Sequence, residues 1–255
     1  MDNTVKEPLI HLSKREDMSF GKKWLVRIIA ILLSLIVCAG FIFIIIKMNP
    51  VEVYEGIVEG AVGTGRRFWV TARDALTLLC VAVAVTPAFK MKFWNIGAEG
   101  QILMGCVASA AMMIYAGNAL PTGLLLVLMF VCSFIAGGIW GIIPAFFKAR
   151  WNTNETLFTL MLNYVAMQVV TFCIVYWENP AGSNSVGIIN APTRAGWLPQ
   201  LFGLDYGWNL AIVLLLTVLM FIYMKRTKHG YEIAVVGESE NTARYAGINV
   251  GKVIV

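Results

Sequence analysis

Long apolar runs separated by short polar segments set the pattern of this chain. Trp24 to Ile46 is nearly unbroken apolar sequence, and its 23 residues at ~1.5 Å each reach about 35 Å, enough to cross a bilayer. Further runs follow at Ala75 to Ala88, Asn95 to Ala116, from the Gly117–Pro121 turn to about Phe147, Leu157 to Trp177, and Trp208 to Met224. These predict an all-α, polytopic transmembrane helical bundle of about six spans. The run at 24–46 is too long for a signal-peptide core and reads as a retained anchor.

The polar segments sort by charge. Lys14, Arg15, Lys22 and Lys23 precede the first run, Lys90 and Lys92 follow the second, Lys148 and Arg150 the fourth, and Lys225, Arg226 and Lys228 the sixth. The 117–121 turn carries no lysine or arginine and the 178–207 loop only Arg194, so the positive-inside rule predicts both termini in the cytoplasm. The domain plan is a cytoplasmic tail at 1–23, a transmembrane domain at 24–224 with an interfacial segment at 47–74 and an external loop at 178–207, and a cytoplasmic loop at 225–255. Asn49-Pro50 opens the interfacial segment as an N-cap and first-turn pair, with Glu52, Glu55 and Glu59 on one face. Trp24, Trp94, Trp151, Trp177 and Trp208 fall near span ends, as an aromatic belt requires.

Composition agrees: of 255 residues 58% are hydrophobic, and the mean hydropathy is +0.73. The net charge of +5 sits in clusters at span ends, which membrane orientation explains without nucleic acid. Five cysteines without a CxxC, and only His11 and His229, leave little material for a metal centre or a catalytic triad. Gly247 to Val253 is one residue short of a P-loop and has Val253 at the Ser/Thr position, so any ATP chemistry belongs to another chain.

Two polar groups interrupt the apolar runs. Asn95-Ile-Gly97-Ala-Glu99-Gly100-Gln101 places a carboxylate, amides and glycines at a span opening. As a helix it would set Asn95 and Glu99 on one face, lining a solute pathway, or Glu99 would be a buried structural pin. Glu155, Thr159 and Asn163 form an i, i+4, i+8 stripe that faces protein or water, its first turn capped by Asn152 or Asn154. Ser133, Gly137, Gly141, Ala145 and Ala149 form a ridge of small residues that admits close helix packing, within the chain or across a dimer. Ser239 as N-cap and Gly247 past the C-terminus bracket a short helix after the last span, either a docking element or an ordinary loop helix.

Three stretches carry a resemblance: Phe93 to Gln101, Asn154 to Asn163, and Arg226 to Asn249. They are similar to ABC-importer permeases of the nucleoside and simple-sugar group, related to branched-chain amino-acid permeases. The resemblance covers most of the chain from about residue 50. It implies a bacterial cell-membrane permease subunit that is not itself an enzyme, binds no cofactor, and forms the path for a nucleoside; a simple sugar, riboflavin and a branched-chain amino acid are the alternatives. Its implied partners are cytoplasmic ABC ATPases holding ATP and Mg, a second permease subunit, and an external solute-binding lipoprotein.

The resemblance also assigns ATPase coupling to Glu238, Ala243, Arg244, Tyr245, Gly247 and Ile248, and the pathway or its hinge to Asn95, Gly97, Glu99, Gly100, Gln101, Glu155, Thr159 and Asn163. Trp94 departs from the smaller residue common there. Related permeases continue past the position of Val255, so this chain is expected to be a truncated fragment. An ion-coupled secondary transporter is the alternative from another class, with Glu99 as its coupling site.

Overall fold

The computed structural model describes residues 19–201 and 206–255. Lys14, Arg15 and His11, in the segment expected above as a cytoplasmic tail, lie outside the described residues. Every regular element among the described residues is helical. The chain divides into two compact units, Met1–Phe68 and Trp69–Val255.

In the first unit α1 (Phe20–Phe41) continues as a π turn over Ile42–Ile46 and stops at Lys47, whose φ of 57° leaves the helical region. The chain re-enters a helix as expected: Asn49 Oδ1 accepts the Val51 amide at 3.1 Å, and Pro50 occupies the first turn of α2 (Pro50–Val62). The Tyr54 hydroxyl donates to the Leu35 carbonyl at 2.6 Å and ties α2 to α1.

α3 (Gly65–Lys90) leads into the second unit and is longer than its apolar run. Residues 65–74, placed in an interfacial segment by their charges, are its first turns. Pro87 lies inside the helix and does not end it. In an apolar setting the alternative to helix is an unsatisfied backbone, so a single proline is tolerated. The same holds for Pro144 inside α5 (Thr122–Trp151), which also outruns its apolar stretch.

α4 (Ala98–Ala116) starts three residues later than the run that predicts it. α6 (Glu155–Tyr176) is capped by Asn154, whose side chain accepts the Leu157 amide at 3.1 Å. After the α6–α7 loop comes α7 (Gly207–Arg226). Among the described residues six helices, counting α1 with its π extension, are long and apolar enough to span a membrane. Their flanks carry exposed Leu, Ile, Val and Phe, for example Phe130, Phe134, Phe172 and Phe221, as lipid contact requires. Trp151 ends α5, Trp177 follows α6 and Trp208 opens α7, as a belt predicts.

α4 is the hub, packing against both α5 and α6. The small-residue ridge of α5 is used within the chain: a Cβ on Gly137 would lie 3.1 Å from the Gln101 backbone carbonyl oxygen, and one on Gly141 3.2 Å from the Gln101 side-chain nitrogen Nε2. Beyond α7 the chain forms α8 (Lys228–Glu238), α9 (Glu240–Tyr245) and α10 (Val250–Ile254). Ile233, Val236, Ala243, Val250 and Val253 are buried together there, with Met91, Tyr223 and Met224 packed on them.

Candidate functional site

The Asn95–Gln101 motif splits into a turn and a helix start. Asn95 Oδ1 accepts the Gly97 amide at 2.9 Å, an Asx turn that sets the entry to α4. Asn95 therefore precedes the helix and shares no helical face with Glu99. Gly97 is the N-cap and has no side chain with which to satisfy the free amides of the first turn.

Asn163 of α6 takes that role from another helix. Its Oδ1 accepts the Gly100 amide at 2.8 Å and its Nδ2 donates to the Ile96 carbonyl at 3.0 Å, with only 4% of the residue exposed. Thr159, fully buried one turn earlier, abuts Gly97: a Cβ there would stand 2.9 Å from Thr159 Cβ. At Gly100 an added Cβ would meet Asn163 Oδ1 at 2.8 Å and the Trp140 indole nitrogen at 3.1 Å. The two glycines thus let α4, α5 and α6 meet at one point. The stripe on α6 faces protein at Thr159 and Asn163.

Glu155, the first stripe residue, sits at the α8–α10 end. Its carboxylate pairs with Lys148 Nζ at 2.9 Å, both side chains being mostly buried. Glu99 is exposed in the first turn of α4, where a carboxylate favours the helix N-terminus.

A cleft of about 810 Å³ lies between α3, α4 and α5. Of the pathway candidates, Asn95 and Gln101 line it; Gly97, Glu99, Gly100, Glu155, Thr159 and Asn163 do not. Small residues make the space: Ala84 and Ala88 on α3, Gly105 on α4, Gly137 and Gly138 on α5. Its polar groups are the two carboxamides, the hydroxyls of Ser109 and Ser133, and the thiols of Cys80 and Cys106. Among the described residues no Asp, Glu, Lys, Arg or His lines it. Ile189 from the α6–α7 loop contributes to the wall beside Met113. The neighbouring Asn190 anchors that loop by donating to the Met113 carbonyl at 2.8 Å and the Ala195 carbonyl at 3.1 Å.

At the other end, α9 is a short helix capped as expected: Ser239 Oγ accepts the Thr242 amide at 3.3 Å, and Gly247 has φ 77°. Ala243 is fully buried and Ile248 packs against the same core, so these two hold α9 in place. Arg244 pairs with Glu240 at 3.8 Å on the outer face, and Tyr245 is 94% exposed. Glu238 is also exposed and its carbonyl accepts from Lys92 Nζ at 3.4 Å. The Gly237 backbone lies directly on the Lys90 carbonyl and on Met91, where no side chain fits. A polar recess of about 210 Å³ links Glu238, Ser239 and Glu240 to Lys148 and Glu155.

Residues 69–255 match the family described as branched-chain amino acid transport system / permease component. The chain belongs to this family. It is similar to the guanosine ABC transporter permease protein NupP of Bacillus subtilis, 29% identical over 235 residues, which are 89% of this chain and 65% of that protein. It is also similar to the nucleoside ABC transporter permease protein NupB of Lactococcus lactis, 29% identical over 244 residues, 92% of this chain and 66% of that protein. A third relative is the glucose ABC transporter permease protein TsgB13 of Haloferax volcanii, 28% identical over 233 residues, 85% of this chain and 59% of that protein. The chain spans between 59% and 66% of the length of these relatives. No solved structure matches it. The resemblance drawn from the three motifs is borne out, and with six apolar helices the permease is a multi-pass cell-membrane protein.

The sequence alone missed α8, the pairing of Lys148 with Glu155, and the pairing of Ser109 with Ser133. The repeat of glycines on α5 against Gln101 signalled the packing but not the cleft beside it.

Proposed function

We propose that this chain is the permease subunit of an ATP-binding-cassette importer and forms the translocation path for a nucleoside or a related neutral solute such as a simple sugar. The observation that carries the reading is the cleft between α3, α4 and α5. It is large enough for a small molecule, mostly apolar, and bears carboxamides and hydroxyls with no carboxylate or ammonium among the described lining residues. A zwitterionic amino acid would enter it with two unpaired charges, each costly to desolvate, whereas a nucleoside or sugar carries none. The relatives, named as guanosine, nucleoside and glucose permeases, point the same way. Glu99 stands outside the cleft, so among the described residues no carboxylate lines it for ion coupling.

In this reading two permeases pair across the membrane, two cytoplasmic ATPases bind ATP and Mg, and an external lipoprotein delivers the solute. Tyr245, Arg244 and Glu238 present the surface on which an ATPase docks, with Ala243, Gly247 and Ile248 fixing the helix that carries them. Movement of that surface reaches α3 through the Gly237–Lys90 contact and reaches α5 and α6 through Lys148 and Glu155. Alternation between outward and inward states of the pair follows ATP binding and release. The residues 225–255 then form one cytoplasmic coupling element.

The test is co-purification of an ATPase with the full-length permease from its native membrane, against a deletion of residues 238–248 and the surface change Tyr245→Asp. Retention by the parent and loss in both variants supports the assignment. Retention unchanged by either variant removes α9 as the coupling helix.

A further inference from the structure

The two serines in the cleft wall have a donor count that the geometry decides. Ser133 Oγ lies 2.9 Å from the Gly105 carbonyl oxygen, which can only accept, so the single Ser133 proton is committed to it. Ser109 Oγ is hydrogen-bonded to Ser133 Oγ. With the Ser133 proton already used, Ser109 donates in that bond. Both hydroxyl protons are therefore spent inside the protein, and what the pair can offer the cleft is lone pairs alone.

The carboxamides differ. Asn95 uses its oxygen on the Gly97 amide and keeps its NH₂ free to donate. Gln101, two helical turns from Ser109 along α4, lies over the notch at Gly141 and offers both a donor and an acceptor. The cleft thus has a donating end at Asn95 and an accepting end at Ser109 and Ser133.

We infer that Ser109, held by Ser133, is a specificity-determining residue that accepts hydrogen bonds from the hydroxyls of the solute's sugar ring. This rests on the proposed function, since sugar hydroxyls are the donors that nucleosides and simple sugars share. A solute whose ring lacks them leaves the pair facing an apolar surface and loses those bonds.

Cys80 lines the same cleft from α3 and reports on its occupancy without relying on transport; Cys132 lines none of the clefts described and serves as the control. The full-length transporter in membrane vesicles is treated with N-ethylmaleimide, with increasing uridine, 2′,3′-dideoxyuridine or glucose present, and modification is read by mass spectrometry. Uridine is expected to protect Cys80 at a roughly tenfold lower concentration than the dideoxy analogue, with Cys132 unaffected. In Ser109→Ala the two concentrations converge, and in Ser109→Thr, which keeps the hydroxyl, the gap returns. Equal protection by both solutes in the parent protein overturns the inference and leaves the nucleoside reading standing, whether or not the variants fold. No protection by uridine or glucose while uptake proceeds overturns both.

Discussion

Asn163 caps a helix to which it does not belong: its Oδ1 accepts the amide of Gly100 in the first turn of α4 at 2.8 Å. The same side chain donates to the Ile96 carbonyl, so one residue of α6 holds both sides of the turn that starts α4.

Asn163→Leu is expected to destabilise the permease, because the Gly100 amide and the Ile96 carbonyl each lose a partner. An orphaned buried polar group costs about 1–3 kcal/mol, and helix-to-helix hydrogen bonds in membranes sit toward the low end. Thermal unfolding in detergent measures it. A variant as stable as the parent would show that water replaces the side chain without cost.

Gly100→Ala is expected to be as harmful, since the new Cβ would meet Asn163 Oδ1 at 2.8 Å and Trp140 Nε1 at 3.1 Å. Combined with Asn163→Ala, which removes the first of these obstructions, the loss is smaller than the sum of the singles by roughly 0.5–3 kcal/mol. Strict additivity in the double-mutant cycle would contradict the contact.

Gly237→Ala and Gly247→Ala separate two reasons for glycine. A Cβ on Gly237 would fall on the Lys90 carbonyl and Met91 backbone, which cannot yield, so α8 must move away from the end of α3. Gly247 has φ 77° but open space around it, so its cost is only the left-handed strain, roughly 1 kcal/mol. ATP-driven uptake is expected to fail in the first and to persist in the second; the reverse order would break the proposed link from α9 to α3.

Lys148→Met and Glu155→Gln each leave a mostly buried partner without its counter-ion, and breaking such a pair costs more than replacing it whole. The double change Lys148→Met with Glu155→Met is expected to recover stability over either single. It is not expected to recover uptake if the pair transmits motion. Full uptake in the double variant would assign the pair to stability alone.

Much was legible in the sequence because the bilayer imposes a length on every apolar run and a charge bias at its ends. The six spans, the caps at Asn49, Asn154 and Ser239, and the glycine past α9 are local properties, fixed by a few neighbouring residues. The family, too, was carried by contiguous motifs. Helix limits were less legible: α3 and α5 run through Pro87 and Pro144 because no water competes for their backbone.

Only the tertiary structure decided which polar residues face what. Helical spacing marks Asn163 as unlike its apolar neighbours but does not reveal that its partners are 63 and 67 residues away. Glu99 draws the eye as a charge among apolar residues, yet it lies on the exposed side of the first turn, while Gln101 two residues on turns into the cleft. Ser109 and Ser133 are ordinary small residues until α4 and α5 bring them together. Sequence determines periodicity and span because those arise from the chain and its solvent; the facing of each side chain depends on the packing of helices distant in sequence, which no local pattern encodes.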